Sequence, residues 1–375
     1  MKIEANSKTE KRKTTVLVVE DSLPAQKVLV SIIDSDPNLE VIAVAGSGEE
    51  ALAKLEEIKP DVITMDVHLP GMDGLAATRK IMEFSPVPII VVSASTLVTD
   101  IERAFELIEA GALTAVAKPI NIGTGDFKVS SKLLIQTIKS MANVKVVKRN
   151  ARGKLTEKNN ISQALEVDTS PLPTNLELIA IGASTGGPKA VQQILSKLSI
   201  RFPLPIILVQ HISPGFTAGM KEWFSQNLKL KVKIAEEGEK LRKGFLYLSE
   251  EDKHITVLNG RFVYSSDATI AGHRPSVARL FQSVAQEYGE HSLGIILTGM
   301  GVDGAAELLQ MKERGATTIA QSAASSVVHG MPGKAIELGA ATHVMNLEEI
   351  GSGLLELEKR IRSINNTGER EVAKS

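Results

Sequence analysis

The sequence predicts an α/β protein made of two parallel-sheet domains that are joined by a linker. Two long stretches alternate short apolar runs with helical periodicity, which is typical of doubly wound sheets. Between them, residues 140–175 lose this alternation, become rich in lysine, arginine and asparagine, and end in a proline-containing segment. The length of 375 residues also suits two or three domains.

Composition narrows the class of protein. The chain is 43% hydrophobic and 23% charged, and its net charge of −1 gives no general attraction to nucleic acid. It has no cysteine, which excludes disulfides, a thiol nucleophile and cysteine-ligated zinc, and fits a reducing compartment. No apolar run approaches the ~20 residues of a membrane span, and the lysine-rich start lacks a signal-peptide core. We therefore expect a cytoplasmic monomer without membrane insertion, with residues 1–14 as a disordered tail.

The first domain is predicted over residues 15–139. Five apolar runs are candidate strands and helical patterns separate them, which favours a flavodoxin-like (βα)5 fold. The candidate strands are Val16–Val19, Val41–Val44, Val62–Met65, Ile89–Val92 and Ala115–Ala117.

The second domain is predicted over residues 176–365 as a doubly wound parallel sheet. Its main candidate strands are Leu178–Ile181, Ile206–Gln210, Leu293–Thr298, Thr317–Ala320 and Thr342–Val344. Shorter runs at Phe245–Leu248, Ile255–Leu258 and Arg261–Tyr264, with Asn259-Gly260 as the turn, predict a β-hairpin insertion. Leu347–Ile364 has the pattern of an amphipathic helix, and residues 366–375 are expected to be a C-terminal tail.

Polar residues of the first domain collect at one edge of the predicted sheet. Glu20 and Asp21 follow the first strand, Asp66 follows the third, Ser93 ends the fourth and Lys118 follows the fifth. Ligands of open α/β sheets bind at this carboxyl edge. Three facing carboxylates need a cation, and oxygen ligands favour Mg²⁺. A metal-bridged aspartate can accept a phosphoryl group, with an ammonium and a hydroxyl supporting it.

Simpler interpretations exist for single members of this cluster. An aspartate after a strand is most often a turn or cap residue, and Ser93 alone could form a serine turn. Asp73 is better explained as a helix N-cap than as a metal ligand.

Residues 15–138 resemble the receiver domains of two-component systems. The resemblance rests on the acidic pair Glu20-Asp21, the segment Met65–Gly74, Ser93 and Lys118-Pro119. It implies that Asp66 is the phosphoacceptor, that Glu20, Asp21 and Asp66 hold Mg²⁺, and that Ser93 and Lys118 support the phosphoryl group.

The chain departs from the receiver pattern at two positions. Glu20 stands where the family usually has aspartate, and Ala115 stands where an aromatic residue often reports phosphorylation. The resemblance further implies a cis peptide bond between Lys118 and Pro119, which would fix the direction of the lysine.

In the second domain, Ser184 lies between the apolar run Leu178–Ile181 and Pro188, which opens a helical pattern. This arrangement predicts a strand, a tight turn and a helix start. Backbone N–H groups at a helix start could hold the oxyanion that forms when a serine attacks a carbonyl. The same turn could instead bind a phosphate. From this motif alone, both interpretations stay open.

His211 and Asp303 complete a candidate hydrolytic set. Each follows a predicted strand, as Ser184 does, so all three are expected at the same sheet edge. The histidine would be the base and the aspartate would orient it. Alternatively, His211 could be a structural histidine and Asp303 could cap the helix that begins at Ala305. The order Ser–His–Asp and the absence of Gly-x-Ser-x-Gly exclude an ordinary lipase or esterase.

Residues 176–362 resemble the catalytic domain of the CheB family of chemotaxis protein-glutamate methylesterases and glutamine deamidases. The matching motifs are Gly182-Ala-Ser184-Thr185-Gly-Gly-Pro, Val-Gln-His211-Ile, Gly272-His273-Arg-Pro-Ser-Val and Thr298-Gly-Met300-Gly-Val-Asp303-Gly. One departure is Ala278, where the family usually has aspartate.

This second resemblance implies a role for each matching residue. Ser184 would attack the glutamyl ester, His211 would act as base and then acid, and Asp303 would orient His211. The Met300 amide would help hold the oxyanion, and Thr185 and His273 would line the cleft. His254, His291, His329 and His343 match no motif and are expected to be structural.

The two resemblances together imply a phosphorylation-activated methylesterase of bacterial chemotaxis. Its partners would be a chemotaxis histidine kinase as phosphodonor and methyl-accepting chemoreceptors as substrate. Its cofactor would be Mg²⁺ in the receiver, with none for the esterase reaction. In this scheme the unphosphorylated receiver covers the catalytic cleft. The alternative is a receiver-controlled binding module whose second domain does not hydrolyse; no helix-turn-helix pattern favours a DNA-binding output.

Overall fold

The computed structural model describes residues 12–94, 98–119, 123–144, 146 and 171–372, without the side chains of residues 98 and 366–372. The chain divides into two compact units. Most of the predicted N-terminal tail and most of the predicted linker lie outside the described residues. At the edges of the predicted linker, however, the helix Gly125–Met141 continues into the first two linker residues, and Leu172 and Leu176 are buried.

The first unit is a five-stranded parallel sheet with the strand order β2-β1-β3-β4-β5, and the predicted flavodoxin-like fold is confirmed. The central strands are apolar and fully buried because helices cover both faces of such a sheet. The strands are β1 (Thr14–Val19), β2 (Leu39–Ala45), β3 (Val62–Met65), β4 (Ile89–Ser93) and β5 (Thr114–Ala117); the helices are α1 (Leu23–Asp34), α2 (Gly48–Glu57), α3 (Gly74–Phe84) and α5 (Gly125–Met141). Helix α4 (Val98–Ala110) belongs to this unit only from residue 106 onward, and its earlier residues are grouped with the second unit.

The second unit is a seven-stranded parallel sheet with the order β14-β13-β12-β6-β7-β9-β8, and the predicted doubly wound parallel sheet is confirmed. The sheet strands are β6 (Leu178–Ala183), β7 (Ile206–Gln210), β8 (Lys231–Ile234), β9 (Phe245–Leu248), β12 (Ser292–Ile296), β13 (Thr317–Gln321) and β14 (His343–Met345); the helices are α6 (Gly187–Leu195), α7 (Thr217–Asn227), α8 (Val277–Glu287), α9 (Ala305–Glu313), α10 (Met331–Glu337) and α11 (Leu347–Val372).

The predicted hairpin is present as a separate antiparallel pair, β10 (His254–Leu258) and β11 (Arg261–Ser265). Asn259 and Gly260 both have positive φ, 50° and 69°, as a two-residue type I′ turn requires. The third run assigned to this insertion, Phe245–Leu248, instead forms β9 and pairs with β7 and β8 in the main sheet. It is buried on both faces, and that suits a parallel strand.

Helix α11 extends to Val372, so most of the predicted C-terminal tail is helical. Ile361 is the last residue of this helix that is buried among the side chains described. Backbone hydrogen bonding continues the helix past the apolar face on which the prediction depended. No helix among the described residues is long and apolar enough to cross a membrane.

Strand register explains how distant residues meet in the second unit. In the sheet Ala183 pairs with Gln210, and Gly182 pairs with Ile296. The carboxyl ends of β6, β7 and β12 are therefore level, and the segments that follow them begin at one edge of the sheet.

Candidate active site

The first unit brings the predicted carboxylates around one lysine. Lys118 Nζ lies 2.7 Å from Glu20 Oε2 and 2.8 Å from Asp66 Oδ2. Both carboxylates are buried, whereas Asp21 is exposed at the rim. Ser93 is also buried, and its carbonyl accepts a hydrogen bond from the Lys118 amide, which places the ends of β4 and β5 side by side.

Burial and charge act in opposite directions on these groups. Burial raises the pKa of Glu20, the Lys118 hydrogen bond lowers it and the Asp66 charge raises it, and the net pKa lies above its ordinary value. Burial lowers the pKa of Lys118, but hydrogen bonds to Asp66 and Glu20 outweigh burial and raise it overall. Lys118 therefore keeps its positive charge and offsets part of the negative charge of the site.

The donor set fits a magnesium ion. Glu20, Asp21 and Asp66 each offer a carboxylate oxygen, and these oxygens lie within 4.8 Å of one another. Oxygen-only donors suit Mg²⁺ rather than zinc. Asp73 is not part of this set: its side chain accepts from the Ala76 amide and caps α3, as predicted.

The Lys118–Pro119 peptide bond differs from the expected one, and position 115 lacks the aromatic residue that the receiver family often has. The peptide bond between Lys118 and Pro119 is trans, since the cis bond among the described residues is Arg274–Pro275. The direction of the lysine is fixed by its two ion pairs instead. Ala115 is buried in β5, so no aromatic side chain stands at that position.

The second unit places Ser184 in the predicted tight turn between β6 and α6. Gly186 has a φ of +76°, and a Cβ there would lie 2.7 Å from atoms of Val327, so only glycine fits this turn. The Ser184 amide donates to the Thr298 carbonyl over 3.0 Å. Among the described residues, the Thr185 and Gly186 amides donate no hydrogen bond, so they are the amides of this turn that remain for an oxyanion.

Asp303 forms hydrogen bonds both with His211, the candidate base, and with the start of helix α8. Its Oδ2 lies 2.8 Å from His211 Nε2, and the same carboxylate accepts from the Val277 and Ala278 amides over 2.7 and 3.1 Å. It therefore binds the start of α8. The alternative that Asp303 caps the helix starting at Ala305 is wrong, because Gly304 is the N-cap of α9.

The Asp303 carboxyl is ionised at neutral pH. Burial raises its pKa. The hydrogen bond and charge of His211, together with the two backbone amides, lower the pKa by more, so the net pKa lies below its ordinary value. An ionised Asp303 accepts a hydrogen bond from the N–H group at His211 Nε2, and in that tautomer Nδ1 carries the lone pair.

His211 Nδ1 is buried and has no hydrogen-bond partner among the described residues. No hydrogen bond joins it to the Ser184 hydroxyl within that part of the chain, so the contact predicted between the two side chains is not formed here. Catalytic hydrogen bonds are often long or poorly aligned until substrate binds. Nδ1 is the ring nitrogen still available to accept a proton.

His273 stacks on the candidate base. The His211 and His273 rings are 3.7 Å apart between centroids and 6° from parallel. Burial, followed by the neighbouring His211 charge, lowers the pKa of His273 to about 4, although Asp303 acts in the opposite direction. His273 is thus a neutral ring at pH 7 and adds no charge beside His211.

Comparison with known proteins gives matches to both units. Residues 16–125 match the response regulator receiver domain, and residues 179–354 match the CheB methylesterase domain. A Nitrosospira multiformis protein named protein-glutamate methylesterase/protein-glutamine glutaminase is 44% identical over 345 residues, which are 91% of this chain and 96% of that protein. The chain belongs to the CheB family.

A second relative and a solved CheB domain are also similar to this chain. A Syntrophus aciditrophicus protein of the same name is 43% identical over 91% of this chain and 97% of that protein. The crystal structure of the Thermotoga maritima CheB methylesterase catalytic domain is 36% identical, with a TM-score of 0.47, and covers 48% of this chain and 98% of that domain.

Sequence reasoning missed the polar residues that support the CheB-type turn. Thr298 Oγ1 donates to the Thr185 carbonyl over 3.0 Å, and the Thr298 amide donates to Gln321 Oε1 over 2.6 Å. Gln210 binds the turn from the other side. The available signal was a buried polar residue at or just after the end of β7, β12 and β13, where apolar residues are otherwise the rule.

Met300 lies in the loop after β12, and its side chain is exposed. The preceding residue, Gly299, has little room for a side chain. A Cβ at Gly299 would lie 2.7 Å from Ser184 Cβ and 2.4 Å from Met331 Sδ. The loop can pass this close to the serine only because position 299 has no side chain.

Proposed function

We propose that this chain is a protein-glutamate methylesterase that removes methyl esters from glutamate side chains of chemoreceptors in chemotaxis adaptation. One observation carries the proposal: a buried His211, bonded to Asp303 through Nε2, presents an unpaired Nδ1 in the unit that holds Ser184 in its strand–turn–helix. The names of the full-length relatives support the substrate.

In the acylation step, Ser184 Oγ attacks the carbonyl carbon of the γ-glutamyl methyl ester. The hydroxyl proton moves to His211 Nδ1, and Asp303 stabilises the imidazolium that forms. The Thr185 amide, with the Met300 amide, holds the oxyanion of the tetrahedral intermediate. The intermediate collapses, the proton on Nδ1 passes to the leaving methoxide, and methanol departs from an acyl-enzyme.

Deacylation repeats these steps with water. His211 Nδ1 takes a proton from the attacking water, and the intermediate releases a free glutamate and the Ser184 hydroxyl. The same sequence with ammonia as leaving group converts a glutamine to glutamate. Glutamine deamidation, which the relatives' names include, is thus within reach of the same residues.

The receiver unit supplies the control. Asp66 accepts a phosphoryl group from the phosphohistidine of a chemotaxis kinase, while Lys118 and Ser93 bind the phosphoryl oxygens. Bound Mg²⁺, held by Glu20, Asp21 and Asp66, would neutralise charge on the transferred group. Phosphorylation raises the turnover of the esterase unit by shifting a conformational equilibrium.

Methanol release from methylated receptor membranes tests the esterase proposal. Replacing Ser184 by alanine should lower the rate by about 10⁴–10⁶-fold, because the nucleophile is lost. Ser225→Ala is the matched control: Ser225 is exposed on α7, and its hydroxyl donates to the Lys221 carbonyl. Equal rates for Ser184→Ala and the wild type would reject the assignment, and receptor binding without methanol release would favour a non-hydrolytic module.

Acetyl phosphate as phosphodonor tests whether phosphorylation of the receiver unit regulates the esterase. The wild type should release methanol faster when the donor is added with Mg²⁺, and Asp66→Asn should not respond. Asp61→Asn is a suitable control, since Asp61 bonds Thr15 at the other end of β1. Activation that survives in Asp66→Asn would reject the phosphoacceptor assignment.

A further inference from the structure

The last residue of β7, Gln210, connects the backbones of two catalytic segments. Its side chain is buried, and Nε2 lies 2.7 Å from the Ser184 carbonyl oxygen and 2.8 Å from the His211 carbonyl oxygen. The amide nitrogen has two hydrogens, so it donates to both carbonyls at once. An amide oxygen in that place would face two acceptors, which fixes the orientation of the group.

The oxygen of the Gln210 amide, in contrast to its nitrogen, adds no hydrogen bond to the described part of the fold. Oε1 is buried and has no hydrogen-bond partner among the described residues. A Cβ at Gly187 would lie 2.1 Å from it, so the start of α6 packs directly against the amide. An unpaired buried acceptor destabilises the fold, so it offsets part of the stability that the two donated hydrogen bonds contribute.

We propose that Gln210 is a positioning residue for the esterase reaction, and this inference rests on the proposed function. The bond to the Ser184 carbonyl fixes the planar peptide group that joins Ser184 to Thr185. Since N–H and C=O point in opposite directions across a trans peptide, it also aims the Thr185 amide, the proposed oxyanion donor. The second bond holds the backbone of His211 at a set distance from the same turn.

Two substitutions remove this function in different ways. Gln210→Leu deletes both donors but keeps the volume. Gln210→Glu keeps the shape but places a carboxylate oxygen against two carbonyl oxygens. Both should lower kcat for methanol release by about 10²-fold, because misplacement by about 1 Å has that effect on catalysis. KM should change little, since Gln210 is buried and does not touch the substrate.

The pH profile separates positioning from general loss of structure. A protonated glutamic acid at position 210 regains one donor, so the ratio of the Gln210→Glu rate to the wild-type rate should rise as pH falls from 8 to 6. The ratio for Gln210→Leu should stay flat over the same range. Gln286→Glu and Gln286→Leu, at an exposed position of α8, are the matched controls and should keep wild-type rates.

Labelling of Ser184 by diisopropyl fluorophosphate distinguishes failure of the proposed function from failure of the inference about Gln210. If the wild type is labelled but releases no methanol, the proposed substrate is wrong, and slower labelling of both Gln210 variants still supports positioning. If folded Gln210 variants keep wild-type kcat or labelling rates, or if the Gln210→Glu ratio does not depend on pH, the inference is overturned. It is also overturned if wild-type Ser184 is not labelled, since no reactive pair then exists to be positioned.

Discussion

Asp303 Oδ2 lies 2.8 Å from Nε2 of His211 rather than from Nδ1. In the well-known serine protease arrangement, the aspartate binds Nδ1 and the serine faces Nε2. In the proposed mechanism the ring is used in the opposite sense, and Nδ1, the nitrogen closer to the main chain, would accept the proton of the serine. The chemistry of base and acid is unchanged, because each ring nitrogen can exchange its proton.

Replacing Asp303 by asparagine should affect both rate and stability. Loss of the carboxylate removes the acceptor that fixes the His211 tautomer, so methanol release should fall by about 10⁴-fold. The start of α8 also loses an ionic acceptor for two amides, so the free energy of unfolding should fall by about 1–2 kcal/mol. Steady-state kinetics and chemical denaturation measure the two effects.

Asn346→Ala is the matched control for that experiment. Asn346 Oδ1 accepts from the Glu348 and Glu349 amides at the start of α11, away from the site. The control should lose about 1 kcal/mol of stability and keep wild-type turnover. An Asp303→Asn variant that loses only stability, as the control does, would contradict the role of Asp303 in catalysis.

His273 should make stability depend on pH. The pKa of its ring is about 4 in the folded chain, against about 6.5 for an unfolded chain. Between these values the unfolded chain binds a proton that the folded chain does not, so stability falls as pH falls through this window. His273→Phe should show a smaller fall from pH 7 to pH 5 by chemical denaturation. A ring resonance of His273 that titrates near pH 6.5 would disprove the prediction.

Lys118→Met should destabilise the receiver unit. It leaves Glu20 and Asp66 buried without their cation, and breaking a buried ion pair in this way costs about 3–5 kcal/mol. The deficit should shrink as pH falls from 7 to 5, because the folded variant then binds protons more readily than the unfolded one. Added Mg²⁺ should also reduce it. Thermal unfolding measures both trends.

Lys139→Met gives the comparison for Lys118. Lys139 pairs with Asp36 at a more exposed place, so its loss should cost at most about 1 kcal/mol and show little response to Mg²⁺. Similar losses in the two variants at pH 7 would argue against a central role for the Lys118 ammonium.

Gly299→Ala should reduce activity without changing any candidate catalytic side chain. The new Cβ would meet Ser184 Cβ at 2.7 Å, so the turn or the loop must move and methanol release should fall by about 10²-fold. Gly353→Ala, in α11 with an ordinary 3.6 Å contact to Leu172, should keep full activity and raise stability by about 0.5–1 kcal/mol. Unchanged turnover in Gly299→Ala would show that the loop adapts.

The sequence predicted strand bounds correctly where a continuous apolar run corresponds to a strand that is buried over its whole length. The apolar runs of β3 and β7 begin and end at the predicted residues because both strands are buried on both faces. Ser184, His211 and Asp303 were predicted together because the ends of parallel strands converge at one edge. Strand β8 was missed because Lys231 and Lys233 alternate with apolar residues at the exposed edge of the sheet.

Other features depend on side-chain geometry that no local pattern encodes. Asp303 binds the start of α8, 26 residues earlier in the chain, rather than the helix that follows it directly. The choice of Nε2 over Nδ1 depends on the rotamer of His211. The two bonds of Gln210 depend on the close approach of Gly187 to its amide.

The carboxylate at position 303 has two roles, because it binds the His211 imidazole and also the amides at the start of a helix. A descendant that no longer hydrolysed esters would still be more stable with an acceptor there. Retention of aspartate at this position would therefore not distinguish a working enzyme from a retired one. Within the described residues the Ser184 hydroxyl caps no helix, so the loss of this serine is the change that would reveal a pseudoenzyme.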